Sequence, residues 1–249
     1  MRSLLATSLL ILSSALVGCQ AYPAPGGPAN LRSMGFAQPD GSISGSLVPQ
    51  QRATVSTLLG IARVQAPGFA TFTGGSTTKG PVSIVTQMDS EDPADIAKLG
   101  RMYAIRGTLG LNKLVLPDSV STEADLRKAA AETGADVLLV YTLDTQFFVP
   151  NRVEYGEQVK LALVADPAAH VQTTANGVLV DVRSGRIMGQ AQGTGKAFLN
   201  AGSADGGSVI DRSRKNAERA AFKAMTDEVM QRWTLIIERG AAAPGAATP

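Results

Sequence analysis

The run Ala135-Asp136-Val137-Leu138-Leu139-Val140-Tyr141-Thr142-Leu143 constrains this chain most. Successive side chains of a strand point to opposite faces, so the four apolar residues Val137 to Val140 in succession need cover on both sides. Ala135 to Leu143 therefore reads as a buried strand in the middle of a sheet. A helix is expected just before it. Thr122-Glu123-Ala124-Asp125 has the spacing of a capping box, Leu126, Ala129, Ala130 and Thr133 make an inner stripe, and Gly134 stops the helix. With Lys113 to Leu116 as a short strand ended by Pro117, the order is strand, helix, strand. That order suggests a right-handed crossover.

The remaining elements follow from period and punctuation. Leu58 to Val64 reads as a strand, with Leu59, Ile61 and Arg63 alternating against Leu58, Gly60, Ala62 and Val64. Residues 67–80 are rich in Gly and Thr and read as a loop, and Val82 to Gln87 as a short strand. Pro93 to about Ile105 reads as a helix capped by Asp92, with Ile96, Leu99, Met102 and Tyr103 on its apolar face. Gln158 to Val164 and Val171 to Val182 read as strands. Arg183-Ser184-Gly185-Arg186 is a tight turn into Ile187 to Lys196 as a hairpin partner. After a Gly/Ser loop over 200–208, a long helix runs from about Ser208 to Arg239. Its stripe is Phe222, Met225, Val229, Trp233 and Ile236, and Gly240 is expected to end it. The fold class is α/β (α+β), one domain over residues 51–240. The expected sheet is mixed, with crossover helices in the first half, an antiparallel hairpin in the second, and a long C-terminal helix.

The first residues have a different character. Arg2 precedes the apolar run Leu4 to Val17, which is shorter than the roughly 20 residues that span a bilayer as a helix. Leu16-Val17-Gly18-Cys19 closes that run and resembles the lipobox of bacterial lipoproteins. The resemblance implies a signal peptide over residues 1–18, cleaved between Gly18 and Cys19. It implies a diacylglyceryl thioether on Cys19 and acylation of the new α-amine. Gln20, where some lipoproteins carry Asp, implies sorting to the periplasmic face of an outer membrane. Residues 19–50 hold Pro23, Pro25, Pro28, Pro39 and Pro49 among many glycines, and read as a flexible tether spanning about 30 Å. Residues 241–249 read as a disordered tail.

Composition narrows the function classes. Removing residues 1–18 takes away Arg2 alone, so the totals of 23 basic and 21 acidic residues become 22 and 21. This near balance argues against a nucleic-acid partner bound by phosphate neutralisation. Cys19 is the single cysteine, so no disulfide can form within the chain.

Few residue groups carry chemistry. The stretch Gly189 to Ala197 superficially suggests a phosphate loop, but its spacing is wrong and Ala197 follows Lys196 where Ser or Thr would bind magnesium. His170 is the one histidine and is expected in a loop near Asp166-Pro167. It has no second histidine for a metal site and no visible triad. Asp144 and Asp181 fall in or at the ends of strands, where structural roles are expected, and Ser184 lacks a nucleophile-elbow context. No catalytic, cofactor-binding or metal-binding set is expected, and no cofactor. Arg212, Arg214, Lys215 and Arg219, with Lys223 beyond them, make the start of the last helix basic. They form a candidate interaction patch for anionic lipid or an acidic partner, against the plainer reading of a solvated face balanced by Glu218, Asp227 and Glu228.

Glu132-Thr133-Gly134-Ala135-Asp136-Val137-Leu138-Leu139-Val140, the later hairpin over Val178 to Gln190 and the Arg/Ala-rich final helix together resemble the rhombotarget lipoprotein family. More distantly they are similar to the α/β domain of the curli secretion lipoprotein and of the lipoproteins that activate penicillin-binding proteins. The leading expectation is a non-enzymatic, lipid-anchored envelope protein whose domain binds another protein. Its partners would be the membrane, through the anchor, and another envelope protein. A periplasmic hydrolase using carboxylates and a self-assembling envelope or secretion subunit are the alternatives.

Overall fold

A computed structural model describes residues 22–23, 26–36, 56–71, 74–75, 80–86, 89–111, 116–117, 119–149, 152–154, 158–159, 169–199 and 206–242. Within them lies a seven-stranded mixed sheet. Its strands are β1 (Thr57–Gln65), β2 (Ser83–Val85), β3 (Ile105–Gly110), β4 (Val137–Val149), β5 (Arg152–Glu154), β6 (His170–Asp181) and β7 (Ile187–Phe198). Three helices accompany them: α1 (Pro93–Leu99), α2 (Glu123–Glu132) and α3 (Gly206–Ala242). The strand order is β7-β6-β4-β1-β2, with β3 also on β1 and β5 on β4.

The apolar run is the hub of this sheet. β4 pairs parallel with β1 from Leu59↔Val137 to Ala62↔Val140, and antiparallel with the whole of β6. Leu138 and Val140 face α2, packing with Leu126, Ala129 and Ala130. Val137, Leu139, Tyr141 and Leu143 face α3, packing with Phe222, Met225, Val229 and Trp233. Each such side chain, fully buried, contributes about 1.5–3 kcal/mol. β1 divides the same way: Ala62 and Val64 face α2, Leu59 and Ile61 face α3. Where β1 and β4 diverge, the Gln65 side chain takes over the ladder. Its Nε2 donates to the Leu143 carbonyl at 2.9 Å, and its Oε1 accepts from the Leu143 N–H at 2.9 Å.

α2 is specified locally. The Thr122 hydroxyl accepts from the Asp125 N–H, and the Asp125 carboxylate accepts from the N–H groups of Thr122 and Ser121. Gly134 leaves the helix at φ +76°, which glycine adopts without steric cost.

α3 runs along β7 and needs glycine beneath it. A Cβ at Gly193 would sit 2.2 Å from the Met225 nitrogen, and one at Gly195 would sit 2.2 Å from the Ala217 carbonyl oxygen. The Gly-rich stretch 189–197 is thus a bed for a helix.

Several expectations are corrected. α1 ends at Leu99, not near Ile105, because Gly100 follows and the chain reverses through Ala104 at φ +64°. Ile105 instead opens β3, which pairs parallel with β1. α3 passes through Gly240 to Ala242, since the following alanines are good helix formers. The expected tether is drawn partly onto the domain. Ala29, Met34 and Phe36 are buried against the α2 side of the core, and Pro28 bridges to Gln65. Residues 113–115 of one expected strand, 160–164 of another, and the tail beyond 242 lie outside the described residues.

Candidate functional site

Between β1, β4 and α3 the sheet carries a cluster of charges where a core would ordinarily be apolar. Arg63, on the α3 face of β1, has its side chain fully enclosed. Its Nη1 meets Glu91 at 3.1 Å and its Nη2 meets Glu218 at 3.3 Å. Glu91 belongs to the turn before α1, and the Tyr141 hydroxyl donates to it at 2.7 Å. Glu218, on α3, also accepts from the Ser90 hydroxyl and from Thr145 at 3.4 Å. Arg214, one turn earlier and equally enclosed, meets Glu218 at 2.7 Å and Asp211 at 2.9 Å. Lys215 closes the outer side with Asp89 at 3.0 Å and Asp211 at 3.2 Å. The Phe69 ring lies 5.2 Å from the Arg63 guanidinium carbon.

Charge in such a place must be paired, because desolvating a lone ion costs several kcal/mol. Three cations (Arg63, Arg214, Lys215) face four carboxylates (Asp89, Glu91, Asp211, Glu218). Burial alone would lower the Arg63 pKa, but Glu218 and Glu91 outweigh it and hold it above its ordinary value. Burial would raise Asp89, but Lys215 and Arg214 bring it below the usual carboxylate range. Tyr141 is pushed well above 10, first by burial and then by Glu91. It remains a phenol that donates.

This cluster ties three layers together: sheet, turn 89–92 and helix. Its carboxylates are turned on arginines and a lysine. Among the described residues no group of three or more His, Cys, Asp or Glu is arranged to hold a metal ion.

The structure redistributes the residues singled out above. The basic patch divides. Arg214 is 0% exposed, so it is a core residue and no part of a surface, and Lys215 is engaged by the same cluster. Arg212 and Arg219 are exposed. Lys223 pairs with Asp227 at 2.7 Å. His170 is not in a loop: it opens β6 and stacks on Phe148 at 5.1 Å, because its register places it opposite that ring. Asp144 accepts from Gln146, and Asp181 caps the hairpin turn by accepting from the Ser184 N–H at 2.7 Å. Gly18 and Cys19 lie outside the described residues. The sequence does not mark the charged cluster itself. The one local signal was Arg63 in an otherwise apolar strand.

No protein-family model and no curated protein matches this chain. Among solved structures, lipoprotein GNA1162 from Neisseria meningitidis is similar at 14% identity and a TM-score of 0.27, over 63% of this chain and 94% of that one. The hypothetical protein CT253 from Chlamydia trachomatis is similar at 10% identity and a TM-score of 0.27, over 76% and 99%. At these values neither likeness bears on fold or function.

Proposed function

We propose that this chain is a lipid-anchored envelope lipoprotein. Its α/β domain binds another envelope protein and performs no catalysis. The observation that carries this reading is Leu16-Val17-Gly18-Cys19 at the end of the apolar run Leu4 to Val17. Acyl chains contribute about 0.8 kcal/mol per buried methylene, so two or more hold a protein stably at a bilayer. No helix among the described residues is long and apolar enough to cross a membrane, so an anchor of this kind supplies what α3 does not. Gln20 supports the periplasmic face of the outer membrane as the destination.

The non-enzymatic reading draws support from the charged cluster. Glu91 and Glu218, the carboxylates brought together in the core, share Arg63, and both side chains are at most 1% exposed. A general acid or base must reach its substrate, and these two are enclosed.

Radiolabelled palmitate fed to expressing cells tests the anchor. The wild-type chain is expected to take up label and to band with outer membrane on a density gradient. Cys19→Ser is expected to accumulate as an unlabelled precursor. Equal labelling of the two overturns the reading.

A further inference from the structure

At one end of the sheet, where β4 finishes and β6 begins, rings line up across three strands. His170 stacks on Phe148 at 5.1 Å and lies 5.9 Å from Phe198. Phe198, at the end of β7, is 57% exposed, and the Lys196 ammonium lies 5.0 Å from its ring centre. The Ser213 hydroxyl donates to the Phe198 carbonyl at 3.1 Å, which brings the early turns of α3, with exposed Arg212, to the same end. Among the described residues neither Lys196 nor Arg212 meets a carboxylate.

The described residues nearest Cys19 in sequence belong near this end. Tyr22–Pro23 pairs with Gln158–Val159, just past β5, and β5 pairs with Phe147 to Val149 at the finish of β4. From Tyr22 back to Cys19 the chain reaches at most about 10 Å. The opposite end of β6, a 12-residue strand, is about 35–40 Å away.

We infer that Phe198 and Lys196 on one side of the sheet and Arg212 on the helix packed on the other mark an end of the domain that rests on anionic phospholipid head groups beside the anchor. This rests on the reading of Cys19 as the acylated residue. An exposed Phe buries its apolar ring at the boundary of head groups and acyl chains, and cations near an anionic leaflet are drawn to it electrostatically. The domain would then stand with its ring-bearing end on the bilayer, and the far end, with Tyr103 at 77% exposure, would point away from it.

The test uses the processed, acylated full chain in vesicles of phosphatidylethanolamine and phosphatidylglycerol carrying brominated acyl chains, which quench nearby tryptophan. The wild type has one tryptophan, Trp233, only 2% exposed and hydrogen-bonded to the Tyr103 carbonyl at the far end, and it supplies the baseline. Phe198→Trp is expected to add emission that brominated lipid quenches. The quenching is expected to be lost with Lys196→Glu and Arg212→Glu together, and in about 1 M salt, where the screening length falls to about 3 Å. Phe198→Trp protein that floats with vesicles and carries acyl groups but shows no added quenching overturns the inference while leaving the anchor intact. So does crosslinking of position 198 to an acidic protein without lipid quenching. Protein that lacks acyl groups and does not float overturns the anchor reading instead. The inference, which rests on that anchor, falls with it, and flotation tells this failure apart from the first.

Discussion

Arg63 of β1 and Glu218 of α3 are 155 residues apart in the chain and 3.3 Å apart in the fold. Their pairing spans the interface between the sheet and its longest helix, and each has a second partner of opposite charge. The arrangement is fully committed, so removing one member strands the others. Glu218→Ala is expected to cost about 3–5 kcal/mol, because it leaves Arg63 and Arg214 enclosed with one carboxylate fewer. Urea denaturation of purified protein measures this. A cost below about 1 kcal/mol would mean that water or rearranged carboxylates replace Glu218 easily.

The glycine bed gives a second expectation. Gly195→Ala places a methyl 2.2 Å from the Ala217 carbonyl oxygen and 2.5 Å from the Ala221 nitrogen, both helix backbone. α3 must lift from β7, at about 1–3 kcal/mol. Gly189→Ala, whose nearest neighbour would be 3.7 Å away, is expected to stay within about 0.5 kcal/mol of wild type. Thermal melts of the two variants should separate clearly.

Ala104 sits in the left-handed region at φ +64°, in a turn held at both ends. The Trp233 indole donates to the Tyr103 carbonyl at 2.8 Å, and the Ala104 carbonyl accepts from the Thr57 N–H at 2.7 Å. The left-handed conformation costs a non-glycine residue about 1–2 kcal/mol, and glycine returns part of that as chain entropy. Ala104→Gly is expected to raise stability by about 0.5–1 kcal/mol, read as a higher Tm.

Two surface carboxylates predict an acid dependence. Glu228 is held below the usual range by the Gln192 N–H and then by Arg232, and Asp125 by the N–H groups of Ser121 and Thr122. A carboxylate whose pKa is depressed in the folded state stabilises above its unfolded pKa, near 4, and loses that contribution as pH falls through the folded value. The wild type is therefore expected to exceed an Asp125→Asn, Glu228→Gln double variant in stability at neutral pH. The gap should stay level down to about pH 5 and shrink in stronger acid. Denaturation midpoints measured from pH 7 to pH 2 follow it.

Local features of this fold were readable and distant ones were not. Val137 to Val140 announced a strand covered on both faces because four apolar residues in succession admit little else. Thr122 and Asp125 announced α2 because capping depends on neighbours three residues apart. The sequence does not mark β3, because Gly107 and Gly110 weaken its strand pattern, and Gly100 stops α1 earlier than its apolar stripe implies. The charged cluster is assembled from Arg63, Glu91, Tyr141 and Glu218, which share no local period. Arg214 looked like a solvated helix charge because burial depends on which face of α3 meets β4 and β6. The fit of Gly193 and Gly195 beneath α3 was hidden for the same reason.

The reading of this chain as a lipoprotein turns on the chemical state of one sulfur. Intact mass spectrometry of protein extracted from native membranes tests it most directly. The expected species begins at Cys19, with the mass of residues 1–18 missing and that of a diacylglyceryl group and an amide-linked acyl chain added. A chain that retains Met1, or that carries Cys19 as an unmodified thiol, contradicts it.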